Sequence, residues 1–304
     1  MPSSLQAFIA IFVVGGLLRS RAVLTKTHAE RLATFVFSVS LPATILVSLD
    51  QVPLAPTAWK LPLAACLITL PMVVGSWQLA HLLQLPRKTK GGFLLATGSI
   101  NSVYFAFPVI LATFGDEGLT QAVLFDLGQT TLTLTVLYGL AVRYGANSAT
   151  PRSAAIRFLS SPPLWALTCI LAVKLSGHHL PSWLLELLKP LHFTTTPLAS
   201  LVLGLSISFS AVRRTARLAI LGAVVRMGGG LLLGMATVWL LGLTGMEQAV
   251  VILVAAMPSA VSSVIFAAET RLDEELVASI VALSICLGVV MLPWLPRLAA
   301  MLLE

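Results

Sequence analysis

The chain has 304 residues, of which 57% are hydrophobic and only 10% charged, whereas a soluble domain carries about 25% charged residues. That composition excludes a water-soluble globule and describes a polytopic membrane protein. The net charge of +7 comes from Lys and Arg placed between apolar runs, with no basic patch interleaved with aromatics, so nucleic acid is not an expected partner.

Apolar runs of about 20 residues can cross the hydrocarbon core. They place ten spans, near 4–19, 31–49, 60–83, 92–114, 119–142, 162–177, 190–211, 217–242, 246–268 and 275–296. The opening SLQAFIAIFVVGGLLRSR lacks a basic leader and an A-x-A cleavage pattern, so it is expected to be a retained span. Cys66, Cys169 and Cys286 lie in three separate apolar runs without metal-ligand spacing. Neither disulfide, metal nor cofactor is expected from them. His28, His178 and His179 fall in loops, His81 near the end of the third span and His192 at the start of the seventh. All five histidines are expected to be solvated.

Charge asymmetry sets the orientation. Fourteen Lys and Arg lie on the odd-numbered connections, among them Arg19, Arg21, Arg87, Lys88, Arg143, Arg213 and Arg271. Four lie on the opposite side, Lys60, Lys174, Lys189 and Arg297, and Arg226 alone lies within a span. The basic side faces the cytoplasm. The expectation is a multi-pass protein of the cell (inner) membrane with both termini outside.

Five spans precede the loop around 143–161 and five follow it, and an odd number per copy forces duplicated halves to lie inverted. The sequence thus divides into a first five-helix repeat over 1–145, a cytoplasmic linker over 146–161 and a second repeat over 162–304. LPATILVSL in the second span resembles TPLASLVLGL in the seventh, aligning Pro42 with Pro197, and Pro108 in the fourth span corresponds to Pro258 in the ninth. GDEGLTQAV after the fourth echoes LDEELVASI after the ninth. The fold class is all-α membrane protein, ten transmembrane helices in two inverted repeats, with the fourth and ninth broken at proline and crossed.

A proline removes a backbone hydrogen bond and clashes with the carbonyl four residues back. In a membrane such a break is tolerated where the freed groups face protein or a watery cavity, the construction of a carrier's binding site. Candidate substrate-binding residues are therefore Asn101, Pro108, Pro258, Ser259, Ser262, Ser263 and Arg226. Asn101 lies seven residues, two helical turns, before Pro108 and offers donor and acceptor. The serines either serve the site or bond back to their own helix carbonyls. Half-helix N-termini turn partial positive charge inward and suit an anion. Arg226 adds a full charge at membrane depth, unless it pairs with an acid and locks the bundle. Gly228, Gly229, Gly230 and Gly234 beside it fit close helix packing better than a hinge. Asp126 is a proton carrier, the partner of Arg226 or a solvated residue. Glu269 is interfacial or part of an inner gate. Asp126 and Glu269 are the candidates for proton or ion coupling.

The strings LRSRAVLTKTHAERLATFVFSVSLPATIL, GSINSVYFAFPVILATFGDEGLTQAVLFDLGQ, TPLASLVLGLSIS and VILVAAMPSAVSSVIFAAETRLDEELVASIVALS resemble the auxin efflux carrier family, in its order and spacing. That family includes plant PIN auxin exporters and compact bacterial members called malonate or malate transporters. The resemblance implies a scaffold from the first two spans of each repeat and a transport part carrying the crossover. It matches Pro108 and Pro258 to the crossover prolines, Asn101 to the family's asparagine and Arg226 to an arginine often found in the eighth span.

Where members have GNTGFLGLP this chain has INSVYFAFP, so Tyr104, Phe105 and Phe107 are expected to line the approach to the break. The function implied is secondary transport of a small organic anion, a carboxylate or auxin-like acid, by alternating access at a midplane crossover. The alternative is a sodium-coupled symporter or antiporter of bile acid carrier type, with Ser262, Ser263 and Glu269 as cation ligands. No enzyme motif is present: TFGDEG has Thr113 where a GxGD protease needs glycine, and GLSI lacks the glycine after serine. The partners expected are the organic anion and the lipid bilayer, with a homodimer left open.

Overall fold

The computed structural model describes residues 3–294 apart from 54, 146–155, 157–158 and 208–211. The linker expected at 146–161 thus lies mostly outside the described residues, as do Arg152, Arg157 and Arg297. Among the described residues the elements are helical and the one β-type pairing is an isolated antiparallel bridge between Ile100 and Ser259.

In chain order the α-helices are α1 (Ser3–Ser20), α2 (Lys26–Phe35), α3 (Leu41–Gln51), α4 (Lys60–Leu82), α5 (Arg87–Gly98), α6 (Phe107–Leu132) and α7 (Tyr138–Tyr144). They continue as α8 (Pro162–Leu175), α9 (Ser182–Ser206), α10 (Val212–Val224), α11 (Gly230–Leu241), α12 (Gly245–Ala255), α13 (Ser262–Thr270) and α14 (Glu274–Met291). Among the described residues six stretches are long and apolar enough to cross a membrane, and Pro162–Leu175 and Gly245–Ala255 are shorter apolar helices. The fourth and ninth apolar runs do not count among the six as continuous rods because each is interrupted. Where a loop was expected near 115–118 the chain turns on Gly115 alone, at φ +66° and ψ −159°, a conformation open essentially to glycine. The seventh span begins at Ser182, earlier than expected, and runs as one helix through Pro190 and Pro197.

Several helices are joined end to end by wider π turns: Val36–Ser40 between α2 and α3, Ser102–Ala106 before α6, Thr133–Leu137 before α7 and Val225–Gly229 between α10 and α11. Two of these end two residues before a proline, Pro42 and Pro108. A widened turn suits a residue that has no N–H to donate and crowds the carbonyl behind it. Pro108 therefore sits in the first turn of α6 and breaks nothing. The interruption expected there falls earlier, at Ser99–Asn101.

The helices group into two units, each drawing on both halves of the sequence. Unit 1 comprises Met1–Ala58, Val103–Val123 and Arg157–Ile207; unit 2 comprises Trp59–Ser102, Leu124–Ile156 and Ser208–Glu304. In unit 1, α1 packs along α9, and α3 packs against both α8 and α9. Hydroxyls stitch α9 to the neighbouring segment: Ser40 to Thr194 at 2.9 Å and Thr44 to Thr195 at 2.7 Å. In unit 2, α10 packs along α14, α4 against α5 and α11, and α11 against α12.

Without an apolar driving force between helices in lipid, close backbone approach through small residues supplies the packing energy. In unit 1 a side chain at Gly204 would collide with Phe12 O, Gly16 N and Gly15 Cα. Gly204→Leu should therefore destabilise by about 1–3 kcal/mol, as overpacking does. Gly75→Leu, with nothing within 4 Å of its would-be Cβ, should be tolerated. Thermal unfolding of the two variants in detergent checks the contrast.

Candidate functional site

The polar centre of unit 2 is built where two helices stop. α5 ends at Gly98, and Ser99 and Ile100 leave the helical conformation. α12 ends at Ala255, and Met257–Ala260 run non-helically before α13 begins at Ser262. The two interruptions pair: Asn101 N–H donates to Pro258 O at 2.9 Å, beside the Ile100–Ser259 bridge. Pro258 fits this place because it accepts through its carbonyl and has no N–H to leave unpaired.

A helix leaves its last four carbonyls without intrahelical donors, and burial makes each costly. In α5 all four receive a side chain. Leu95 O accepts from Ser99 Oγ at 2.7 Å, and Ala96 O from Ser259 Oγ at 2.6 Å. Thr97 O accepts from Arg226 Nη1 at 3.1 Å and Gly98 O from Gln129 Nε2 at 3.4 Å. Arg226 Nη2 also donates to Ala255 O at the end of α12. One fully buried guanidinium thus bonds the carbonyl ends of both interrupted helices, where helix dipoles concentrate negative charge. Its planar fork, which a lysine ammonium lacks, reaches the two carbonyls together.

Arg226 is held there by its surroundings. It lies in the π turn Val225–Gly229, and a side chain at Gly230 would meet both Ala255 O and Arg226 Nη2. At Gly234 it would come within 2.8 Å of Ala255 Cβ. These glycines serve close packing of α11 on α12.

The structure sorts the remaining candidates. Ser259 and Ser263 do not bond back to their own helix. Ser259 reaches α5, its N–H is taken by Ser284 Oγ at 3.1 Å, and Ser263 Oγ lies 2.5 Å from Ser99 Oγ. Ser262 is half-buried at the start of α13, and Glu269 is half-buried near its end. Asp126 is not the partner of Arg226: its carboxylate accepts from Thr130 Oγ1 at 2.9 Å and has the Ser102 hydroxyl beside it.

Pro108, buried in α6, belongs to the segment Val103–Val123 of unit 1 and not to the paired break of unit 2. Tyr104, Phe105 and Phe107 do not present themselves to the break as expected. Phe105 and Phe107 are buried, Phe105 packs edge-on against Phe8, and Tyr104 Oη donates to Ala33 O at 3.1 Å, all within unit 1. Bulky aromatics here are consumed by packing onto α1 and α2.

Besides the Ser102 hydroxyl, which can donate or accept, two atoms at this centre are buried with no partner among the described residues: Asn101 Nδ2 and Arg226 Nε. Both can only donate. Sequence reading missed Gln129, which Thr69 Oγ1 orients through its Oε1, and Ser284. An apolar helix carrying an isolated amide or hydroxyl is the available signal, and it is too common to single these out.

The family described as membrane transport protein matches residues 3–296. The chain belongs to this auxin efflux carrier family. It is 30% identical to an uncharacterized transporter of Methanothermobacter thermautotrophicus over 293 residues, covering 94% of each chain. It is 27% identical to an uncharacterized transporter of Methanocaldococcus jannaschii over 293 residues, covering 92% of each. This family member is a membrane transport protein with several apolar helices.

Replacing Arg226 with methionine strips the donors from Thr97 O and Ala255 O. A buried carbonyl left without a donor costs about 1–3 kcal/mol. Arg226→Met should accordingly lower the unfolding temperature in detergent more than Arg226→Lys, which keeps one donor group but not the fork.

Proposed function

We propose that this carrier moves small organic anions, carboxylates or auxin-like acids, by alternating access, with the paired interruptions of α5 and α12 as the anion site. The observation that carries the reading is the unspent donor set: Asn101 Nδ2 and Arg226 Nε, buried and donor-only at a helix break. A carboxylate supplies the acceptors both atoms lack. The guanidinium charge beside them favours an anion and opposes a cation.

The same bonding argues against the sodium-coupled alternative. A sodium site at the break would need its carbonyl oxygens, yet those of Leu95, Ala96, Thr97, Gly98 and Ala255 already accept from side chains, two of them from a guanidinium. Ser263 Oγ is likewise engaged with Ser99. Asp126, beside Ser102, remains a candidate for coupling.

The reading extends to the ten spans in two inverted repeats over 1–145 and 162–304, in the cell membrane with both termini outside. Unit 1 holds the first two helical stretches of each half and unit 2 holds the breaks, which agrees with a scaffold and a transport part. Rigid-body exposure of the site to either side requires no covalent step, so no enzymatic activity is assigned.

Reconstituted into liposomes, the protein should exchange dicarboxylates such as malonate or malate at rates unchanged when potassium replaces sodium. Loss of a hydrogen bond to a charged group costs about 1.5–3 kcal/mol, tenfold or more in binding. Asn101→Ala should therefore cut exchange at sub-saturating substrate by about that factor while the protein stays folded. Pro258→Ala should also reduce it. Wild-type exchange in both variants removes the break from the mechanism, and strict sodium dependence restores the alternative.

A further inference from the structure

A second polar cluster lies in unit 1, away from the paired breaks. His192, expected at the start of a span and in water, instead sits inside α9 with only 5% of its side chain exposed. It shares the buried face of that helix with Thr195 and Ala199, at the spacing that places residues on one side. Its Nε2 is 3.9 Å from Asp116 Oδ1, and Ser48 Oγ donates to that same oxygen at 2.5 Å. Thr120 Oγ1 closes the group onto Ser48 O at 3.4 Å. Asp116 follows the Gly115 turn and is 33% exposed. His192 Nδ1 is buried with no partner among the described residues.

We propose that Ser48, Asp116 and His192 form a proton-binding site in unit 1, by which the carrier couples anion movement to a proton. This rests on the carrier reading above. The geometry is that of a relay: a partly exposed carboxylate meets water on one side and faces a sealed imidazole on the other. A neutral imidazole facing Asp116 with Nε2 accepts a proton there, forming an imidazolium beside a carboxylate, and releases it from the same atom. Ser48 fixes the carboxylate oxygen for that exchange. An imidazole is the side chain suited to take up and release a proton near neutral pH, and an ionisable side chain buried in a membrane span, as His192 is, is costly to keep without use.

The charged groups on the elements around it do not displace this pairing. Asp50, at the end of α3, accepts from Leu180 N–H at 2.8 Å and lies 3.6 Å from His179. Arg19 lies in the last turn of α1, Glu30 and Arg31 on α2, Glu186 and Lys189 on α9, and Glu117 next to Asp116. Among the described residues Asp116 is the acid within ion-pair range of the His192 ring.

The test uses the full chain in liposomes loaded with a pH-sensitive dye, with labelled malonate and malate as probes. Wild-type protein should acidify the lumen as the probe enters, and a one-unit inward proton gradient should drive accumulation up to about tenfold for one proton per substrate. His192→Gln and Asp116→Asn should lose most of that accumulation while keeping a larger share of probe exchange at equal pH. Ser48→Ala, which removes no charge, should fall between them and wild type and keeps the question open to test if either other variant fails to fold. Entry of probe without acidification, or an unchanged ratio of protons to probe in the variants, overturns the coupling and leaves the carrier reading standing. Failure of wild-type protein to move either probe overturns both.

Discussion

A single guanidinium, bonded to the carbonyl ends of two interrupted helices, is the interaction on which the polar centre of unit 2 depends. Stopping a helix in a low-dielectric interior exposes four carbonyls at its end, and no water is there to accept the debt in hydrogen bonds. The chain meets the demand with Ser99, Ser259, Arg226 and Gln129 at α5 and with Arg226 again at α12. Two broken helices can then exist side by side, and the short bridge between Ile100 and Ser259 is a consequence of their proximity. A buried arginine is usually costly to desolvate. Here its charge lies against two dipole ends of the opposite sign, which offsets part of that cost.

Polar satisfaction also explains which donor atoms are left over. After the carbonyls are served, Asn101 Nδ2 and Arg226 Nε still lack acceptors. The unfilled pair of donors is the observation on which the proposed anion site rests, in a chain that belongs to a membrane transport family.

Much of this was legible in the sequence, and the failures have physical causes. Apolar run length located most helices because hydrocarbon thickness fixes it, and Pro258 marked the second break because a proline carbonyl accepts where no N–H is needed. Pro108 misled: a proline in a first helical turn costs little, and the actual stop at Ser99–Asn101 is set by partners far away in sequence, Arg226, Gln129 and Ser259. The bonding of Arg226 to carbonyls, not to an acid, was equally invisible, since backbone acceptors leave no trace in a residue string. His192 was misplaced because the expected span opened at Pro190, whereas α9 runs through that proline and starts at Ser182.

The π turns carry one further implication. A π turn holds an additional residue relative to regular α-helix, and each residue of an α-helix advances the helix by about 100°. Arg226 lies in such a turn, Val225–Gly229, upstream of the glycine face of α11. Deleting a single residue there would restore a regular α-helix with Gly230 and Gly234 still facing α12, but would remove the widened turn that aims Arg226 at Thr97 O and Ala255 O. The widened turn thus fixes the place of the guanidinium, while the glycine face of α11 needs only the regular helix.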